Sequence, residues 1–171
     1  MVSTDATCNI FLNLDPIIKT FPTTKFIGKS LSFTYADYRA FELWRSFMTR
    51  RKEIQNSMGT NLFNIQVNPE NFDFHPNTTF VKWAAVQVSS FDSIPDDMHA
   101  LEVEGGLYAV FQYKGNQQDA ATFFNLIYTE WLPTSAYEIE NRPQFEILGK
   151  KYKNNDPNSE EEIWIPIKLK A

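Results

Sequence analysis

The residues best suited to chemistry lie near the end of the chain, in the stretch Glu162-Ile163-Trp164-Ile165-Pro166. Isoleucine occupies every second position from 163 to 167, and Glu162 and Trp164 take the alternate positions. Because successive side chains of a β-strand point to opposite faces, this pattern predicts a strand with an isoleucine face in the core. The other face would carry a carboxylate beside an indole, which is either a solvated edge or the floor of a site for a cationic or hydrogen-bonding group.

A carboxylate in an aromatic pocket is costly to desolvate, so it is kept there only when it is paired or used. A cation could neutralise it, helped by ring faces that each attract positive charge by about 0.5–2 kcal/mol. Alternatively, its pKa could rise, and it would then serve as an acid or a base. Tyr108, Trp83 and Tyr38 are candidate walls for a pocket around Glu162 and Trp164, and each of these three could equally be a core residue.

Other site chemistries find little support in the sequence. His75 and His99 lie in separate polar segments, and we expect Asp96-Asp97-Met98-His99 to be a solvated loop rather than a metal site. Glycine-rich phosphate loops, nucleophile elbows and paired cysteines are absent from the sequence. We therefore expect neither a metal nor a cofactor.

Composition limits the class of protein. With 171 residues, 43% hydrophobic and 15% aromatic, the chain is long enough for one well-buried domain. The net charge of -5 argues against nucleic acid as the main partner, since phosphate binding needs clustered lysine and arginine. The lone Cys8 favours a reducing compartment. No apolar run approaches the ~20 residues of a membrane span, and the first residues lack a signal-peptide pattern, so we expect a soluble, cytoplasmic protein without a membrane partner.

The periodicity predicts one order of elements that occurs twice. We assign residues 1–15 to an N-terminal extension and 16–168 to a single domain, with pseudo-repeats at 16–90 and 104–168 separated by an exposed connector. The order strand-helix-strand-strand in each repeat predicts an α+β fold with an antiparallel sheet and a central ligand cleft where the repeats meet. The predicted strands cover 25–33, 62–67, 80–88, 106–114, 145–148 and 161–168, and the predicted helices cover 38–48 and 117–131.

Four short motifs in the second half, together with their order and spacing, resemble the GyrI-like family, the effector-binding domain of multidrug-sensing bacterial regulators. The resemblance extends over residues 16–168. The motifs are Gly106-Leu107-Tyr108-Ala109-Val110-Phe111 with Gly115, Trp131-Leu132-Pro133 with Tyr137, Arg142-Pro143-Gln144-Phe145-Glu146, and Glu162-Ile163-Trp164-Ile165-Pro166.

The resemblance implies the same duplicated fold and an aromatic pocket with one buried glutamate, which in that family holds lipophilic, often cationic, small molecules. The matching glutamate is Glu162, whereas Glu160 and Glu161 match nothing and are expected to be solvated. Regulators of this kind also carry a helix-turn-helix domain. The sequence offers no room for one ahead of Pro16, so we expect a stand-alone version without direct nucleic acid binding.

Three functions from different classes fit these observations. The first is a non-enzymatic module that senses or sequesters lipophilic, aromatic or cationic compounds. The second is a hydrolase that opens strained electrophilic rings of genotoxic compounds, with Glu162 and an aromatic hydroxyl activating water, as the resemblance implies for some family members. The third is a protein partner that modulates a topoisomerase. The sequence leaves the identity of the ligand and the oligomeric state open.

Overall fold

The structure is a computed structural model that describes residues 14–171, apart from the side chains of Gln117 and Gln118. Cys8 and all but the last two residues of the predicted extension lie outside this range. The helices are α1 (Ala40–Met48) and α2 (Gln117–Leu126), and α2 continues through a π-helical turn (Ile127–Trp131) and a last turn (Leu132–Thr134). The strands are β1 (Ile17–Phe21), β2 (Thr24–Phe33), β3 (Leu62–Val67), β4 (Phe80–Gln87), β5 (His99–Val103), β6 (Gly106–Lys114), β7 (Tyr137–Ile139), β8 (Gln144–Leu148) and β9 (Glu160–Leu169).

The nine strands form one antiparallel sheet, which confirms the predicted α+β class. Eight of them follow the order β1-β6-β9-β8-β3-β4-β2-β5, and β7 pairs with the end of β9. The order is symmetric about its centre: β3-β4-β2 on one side mirrors β8-β9-β6 on the other. The first strand of each half pairs with a strand of the other half: β1 pairs with β6, and β5 pairs with β2.

The sheet curls until its two ends meet. β1 and β2 lie near opposite ends of the strand order, yet only Pro22 and Thr23 separate them along the chain. A second two-residue connection, between β5 and β6, crosses the first, and the Gly105 N–H donates a hydrogen bond to Thr23 Oγ1 at 3.0 Å. A Cβ atom on Gly105 would lie 2.6 Å from the Phe21 carbonyl oxygen. The crossing therefore needs glycine at this position.

The two faces of the curled sheet have different cores. One aromatic-rich cluster on the inner face draws residues from β2, β3, β4, β5, β6, β8 and β9, and Phe21 of β1 packs against it. The outer face has two separate clusters, one under each helix. Leu43 and Phe47 of α1 are buried in the first of these clusters. Phe123 of α2 lies in the second, together with all three isoleucines of β9, each fully buried as their alternation predicted.

Helix α1 is shorter and more exposed than predicted. It begins at Ala40 rather than Tyr38 and has no side-chain cap. The apolar residues Tyr38, Phe41 and Met48, all within the predicted helix, are 54%, 76% and 43% exposed, because a nine-residue helix covers the sheet with little more than its Leu43 and Phe47 positions.

Two further strands and the end of the second helix also differ from the predictions. The segment expected to be an exposed connector contains β5, whose Val103 is fully buried, and Met98 just ahead of it is also buried. β7 was not predicted. The second helical segment runs through Pro133 to Thr134, because proline fits the first turn of the last helical piece. Within residues 14–171, none of the helices is long and apolar enough to cross a membrane.

Candidate ligand-binding site

The structure places four of the five predicted site residues on one face of the sheet. Glu162 and Trp164 share the inner face as expected, and the Trp164 indole N–H donates to Glu162 Oε2 at 2.9 Å. Trp83 and Tyr108 lie in the inner cluster with Trp164. Tyr38 lies on the outer face, just ahead of α1. The structure therefore separates Tyr38 from the other four.

The inner face is filled by packed rings. The rings of Tyr108, Phe145 and Trp164 have centroids 5.2–5.8 Å apart. The fully buried Tyr108 hydroxyl donates to the Pro143 carbonyl at 2.9 Å, and burial raises the pKa of this hydroxyl to about 12. The Arg142 guanidinium lies 4.6 Å from the centroid of the Tyr108 ring. These contacts are those of a structural core.

Between the two helices, the outer face is polar. Alternation along β3 and β8 sends Phe63, Ile65 and Phe145 inward and leaves their polar neighbours on the outer side. These neighbours line a narrow cleft at the junction of the two halves, which we call the interhelical cleft and which is too tight to hold a water-sized sphere. Its lining includes Asn64 and Gln66 from β3, Lys82 from β4, Phe124 from α2, and Gln144 and Glu146 from β8.

Tyrosine hydroxyls from outside the sheet reach the polar residues of the cleft. The Gln66 amide N–H donates to the Tyr35 hydroxyl at 3.0 Å. The Tyr128 hydroxyl, in the π-helical turn, donates to Gln144 Oε1 at 2.6 Å, and burial raises the pKa of Tyr128. π-Helical turns often occur at functional sites, since they re-aim a side chain within a helix. Here the turn contains Tyr128, whose hydroxyl bonds Gln144.

Two carboxyl groups belong to this polar region. Glu161, on the strand next to Glu146, was expected to be solvated, and this expectation is wrong: it is partly buried and hydrogen-bonds with Glu146. Burial, followed by the charge and hydrogen bond of Glu146, raises the pKa of Glu161 to about 9, although Lys82 opposes the shift. The pair therefore holds a proton at neutral pH and carries about one negative charge. Glu160 instead forms an ion pair with the exposed Lys151 at 3.3 Å.

Lys82 brings a buried positive charge to the cleft. The residue is 6% exposed, and its ammonium donates to Gln66 Oε1 at 3.4 Å and to the Tyr38 hydroxyl at 3.5 Å. It also lies 5.8 Å from the centroid of the Tyr38 ring. Burial alone would lower the pKa of Lys82, but Tyr38, Glu146 and Tyr35 raise it on balance, so the side chain stays charged.

A larger concavity lies on the other side of α1, toward β5. It has a volume of about 250 Å³, is open to solvent, and is lined by residues that include Lys29, Glu42, Asp97 and His99. In residues 14–171, no group of three or more histidine, cysteine, aspartate or glutamate side chains is arranged to hold a metal ion. The concavity lacks buried charge, so we consider the smaller interhelical cleft the better candidate site.

Lys82, Glu146 and Glu161, which the candidate cleft brings together, were not among the predicted site residues. Lys82 was visible as the only charged residue in a strand whose other residues are apolar except Gln87, a pattern that indicates either a functional charge or an edge. Glu146 lay within one of the quoted family motifs. Glu161 gave no signal that distinguished it from the neighbouring glutamates.

A duplicated antiparallel sheet with a charged cleft where its halves meet defines a small-molecule binding module of the α+β class. The family model of the GyrI-like small molecule binding domain matches residues 14–168. The chain therefore belongs to the GyrI-like family, which confirms the resemblance.

Known proteins agree with this assignment. The chain is 29% identical over 128 residues to the transcriptional regulator BrlR of Pseudomonas aeruginosa; the match covers 74% of this chain and 45% of the regulator, so the chain spans less than half of that relative. An integron cassette protein from the mobile metagenome of Vibrio cholerae shares the fold with a TM-score of 0.66 at 17% identity, over 91% of this chain and 97% of the other. The structure of SAV2435 bound to tetraphenylphosphonium shares it with a TM-score of 0.65 at 16% identity, over 91% and 94%.

Proposed function

We propose that the interhelical cleft binds lipophilic cations and that the carboxyl pair Glu146–Glu161 is its anionic group. The observation that carries the proposal is a partly buried carboxyl pair in a cleft bordered by aromatic side chains. A negative charge removed from water is stabilised by a cation of matching size, and ring faces add to the attraction. The bound tetraphenylphosphonium in SAV2435, a protein of the same fold, supports this ligand class.

The cleft has to widen to hold such a ligand. Sites for drug-sized molecules enclose roughly 300–1,000 Å³, whereas the cleft is too narrow to hold even a water-sized sphere. Phe124 of α2 and the half-exposed Tyr38 border the polar residues, and neither is held by the sheet backbone. Rotation of these two side chains would open the space and present ring faces to the ligand.

Tetraphenylphosphonium is the direct probe, and tetraphenylborate is its control because the two ions have the same shape and opposite charge. Binding can be followed by calorimetry and by quenching of Trp44, whose indole N–H donates to Asn64 Oδ1 at 3.3 Å beside the cleft. We expect wild-type protein to bind the phosphonium and Glu146→Gln to weaken this binding about ten- to a hundredfold, or ~1.4–2.8 kcal/mol.

Glu162→Gln is the matched control, since it makes the same substitution on the inner face. It should leave the phosphonium affinity unchanged. If Glu162→Gln abolishes binding while Glu146→Gln does not, the site prediction made from the sequence is right and the cleft proposal is wrong. Equal affinity for the phosphonium and the borate would rule out a role for the charge of the carboxyl pair.

A second candidate function is hydrolysis of strained rings, and the raised pKa of Glu161 favours it. At neutral pH this group is a carboxylic acid and could protonate the oxygen of an opening epoxide, while Glu146 removes a proton from the attacking water. The water oxygen would form a bond to a ring carbon, the bond between that carbon and the ring oxygen would break, and the product would be a diol. Styrene oxide is a suitable probe: Glu161→Gln should abolish diol formation but keep phosphonium binding, and no diol from wild-type protein would exclude this activity for that substrate.

A further inference from the structure

We infer that Lys82 determines which cations the cleft accepts: it selects ligands that carry a carboxylate or another strong hydrogen-bond acceptor beside their lipophilic cation. This inference rests on the proposed function and narrows its ligand class from lipophilic cations in general to bipolar ones. The evidence comes from the contacts of Lys82, its place in the strand register, and the balance of charge in the cleft.

The Lys82 ammonium is poorly satisfied for a buried charge. It has three N–H donors, and its hydrogen bonds, to Gln66 and Tyr38, are 3.4 and 3.5 Å long. Charge-assisted hydrogen bonds are normally about 2.7–2.9 Å. Among residues 14–171, no carboxylate forms an ion pair with this ammonium within 4.0 Å. A ligand acceptor would therefore supply a partner that the protein itself does not.

The register places Lys82 and Glu161 at equivalent positions of the two halves. Asn64 and Glu146 lie opposite each other where β3 pairs with β8. In β4, Lys82 comes two residues before the residue that pairs with Asn64. In β9, Glu161 likewise comes two residues before the residue that pairs with Glu146. The symmetric scaffold thus carries a cation on one side of its centre and a carboxyl on the other. A ligand spanning the centre would meet both.

The charges in the cleft nearly cancel. Lys82 contributes one positive charge, and the carboxyl pair, which holds one proton, contributes about one negative charge. A simple cation would gain attraction from the pair but would be repelled by Lys82 in the same low-dielectric space. A ligand with a cationic and an anionic end would meet attraction at both ends. This difference in electrostatic interaction between simple cations and bipolar ligands is the basis of the expected selectivity.

The experiment compares two ligands that differ only in charge at one end. Carboxybutyl-triphenylphosphonium has a cation and a carboxylate at neutral pH, and its methyl ester has the cation alone. Calorimetry should show that wild-type protein prefers the carboxylate form by about tenfold or more. Lys82→Met keeps the side-chain volume and removes the charge, so it should weaken binding of the carboxylate form about tenfold and strengthen binding of the ester severalfold.

Lys150→Met is the control, because Lys150 is exposed in the loop after β8 and its replacement changes the net charge equally. It should leave both affinities unchanged. Lys82→Gln, which also removes the charge but keeps a polar end, should reproduce the effect of Lys82→Met, and thermal unfolding establishes that each variant is folded.

Two outcomes separate the inference from the function on which it rests. If wild-type protein binds both phosphonium ligands, and folded Lys82→Met and Lys82→Gln keep the same ratio of affinities, Lys82 does not select ligands, although the cleft still binds cations. If wild-type protein binds neither these ligands nor tetraphenylphosphonium, the proposed function fails, and the inference about Lys82 fails with it.

Discussion

The carboxyl pair makes a specific prediction about the pH dependence of stability. The pKa of Glu161 rises from its ordinary 4.5 to about 9 in the folded protein, so between these values the native state holds a proton that the unfolded chain releases. The contribution of Glu161 to the free energy of unfolding is therefore fully present below about pH 4.5 and is lost as the pH rises toward 9. At about 1.4 kcal/mol per pKa unit the full shift would correspond to ~6 kcal/mol, and water access to a partly buried side chain reduces this to ~2–4 kcal/mol.

Glu161→Gln should remove this loss. The amide has nearly the same shape as the protonated acid and can still donate a hydrogen bond to Glu146, but it does not titrate. The variant should match wild-type protein near pH 5 and be more stable by ~2–4 kcal/mol near pH 9, which corresponds to roughly 4–16 °C in Tm. Chemical unfolding followed by tryptophan fluorescence, repeated at each pH, measures the difference.

Glu162→Gln provides the control for this experiment, because it changes the adjacent residue of the same strand and leaves Glu161 intact. Its stability should keep the wild-type dependence on pH. If Glu161→Gln also follows wild-type protein across the whole range, then Glu161 ionises normally, and the description of the cleft as a proton-sharing site is wrong.

Three further predictions test the cleft and the fold. Tetraphenylphosphonium should lower the pKa of Glu161 and release up to about one proton, so its binding enthalpy near neutral pH should depend on the ionisation enthalpy of the buffer; identical enthalpies would contradict this. Tyr108→Phe should destabilise the protein by ~1–2 kcal/mol, because the Pro143 carbonyl loses its donor, yet leave phosphonium affinity unchanged. Gly105→Ala should lower the stability by ~1–3 kcal/mol through the clash at the strand crossing, while Gly149→Ala, with its nearest contact at 3.4 Å, should be tolerated when both are compared by thermal unfolding.

The sequence was informative where the signal is local. Alternation in β9 correctly separated the buried isoleucines from Glu162 and Trp164, and the two helices were located because their apolar residues recur at helical spacing. Alternation tells which residues share a face but not what covers that face. The sequence predicted a site on the face of β9 that carries Glu162 and Trp164, where the structure has packed rings, whereas the polar cleft lies on the outer face between the helices.

The missed site residues depend on long-range pairing. Lys82 approaches the two glutamates only because β3 pairs with β8, whose partners are about eighty residues apart in the chain, and Glu146 meets Glu161 through the separate pairing of β8 with β9. Strand pairing of this kind is set by the whole sheet and leaves no short-range pattern in sequence. β5 was missed for a different reason: two of its five residues, His99 and Glu102, are polar or charged, so its strand signal was weak.

The position of the cleft also follows from how the fold is stabilised. The inner aromatic cluster and the two clusters under the helices bury the apolar surface, and the sheet satisfies the backbone of β3 and β8. Side chains at the junction are therefore not needed for folding, and buried charges there cost stability. Replacing Lys82, Glu146 and Glu161 together by methionine should consequently raise the Tm while abolishing ligand binding, the opposite of what substitution in any of the three apolar clusters would do. A loss of stability in this triple variant would mean that the charges hold the fold together rather than serve a ligand.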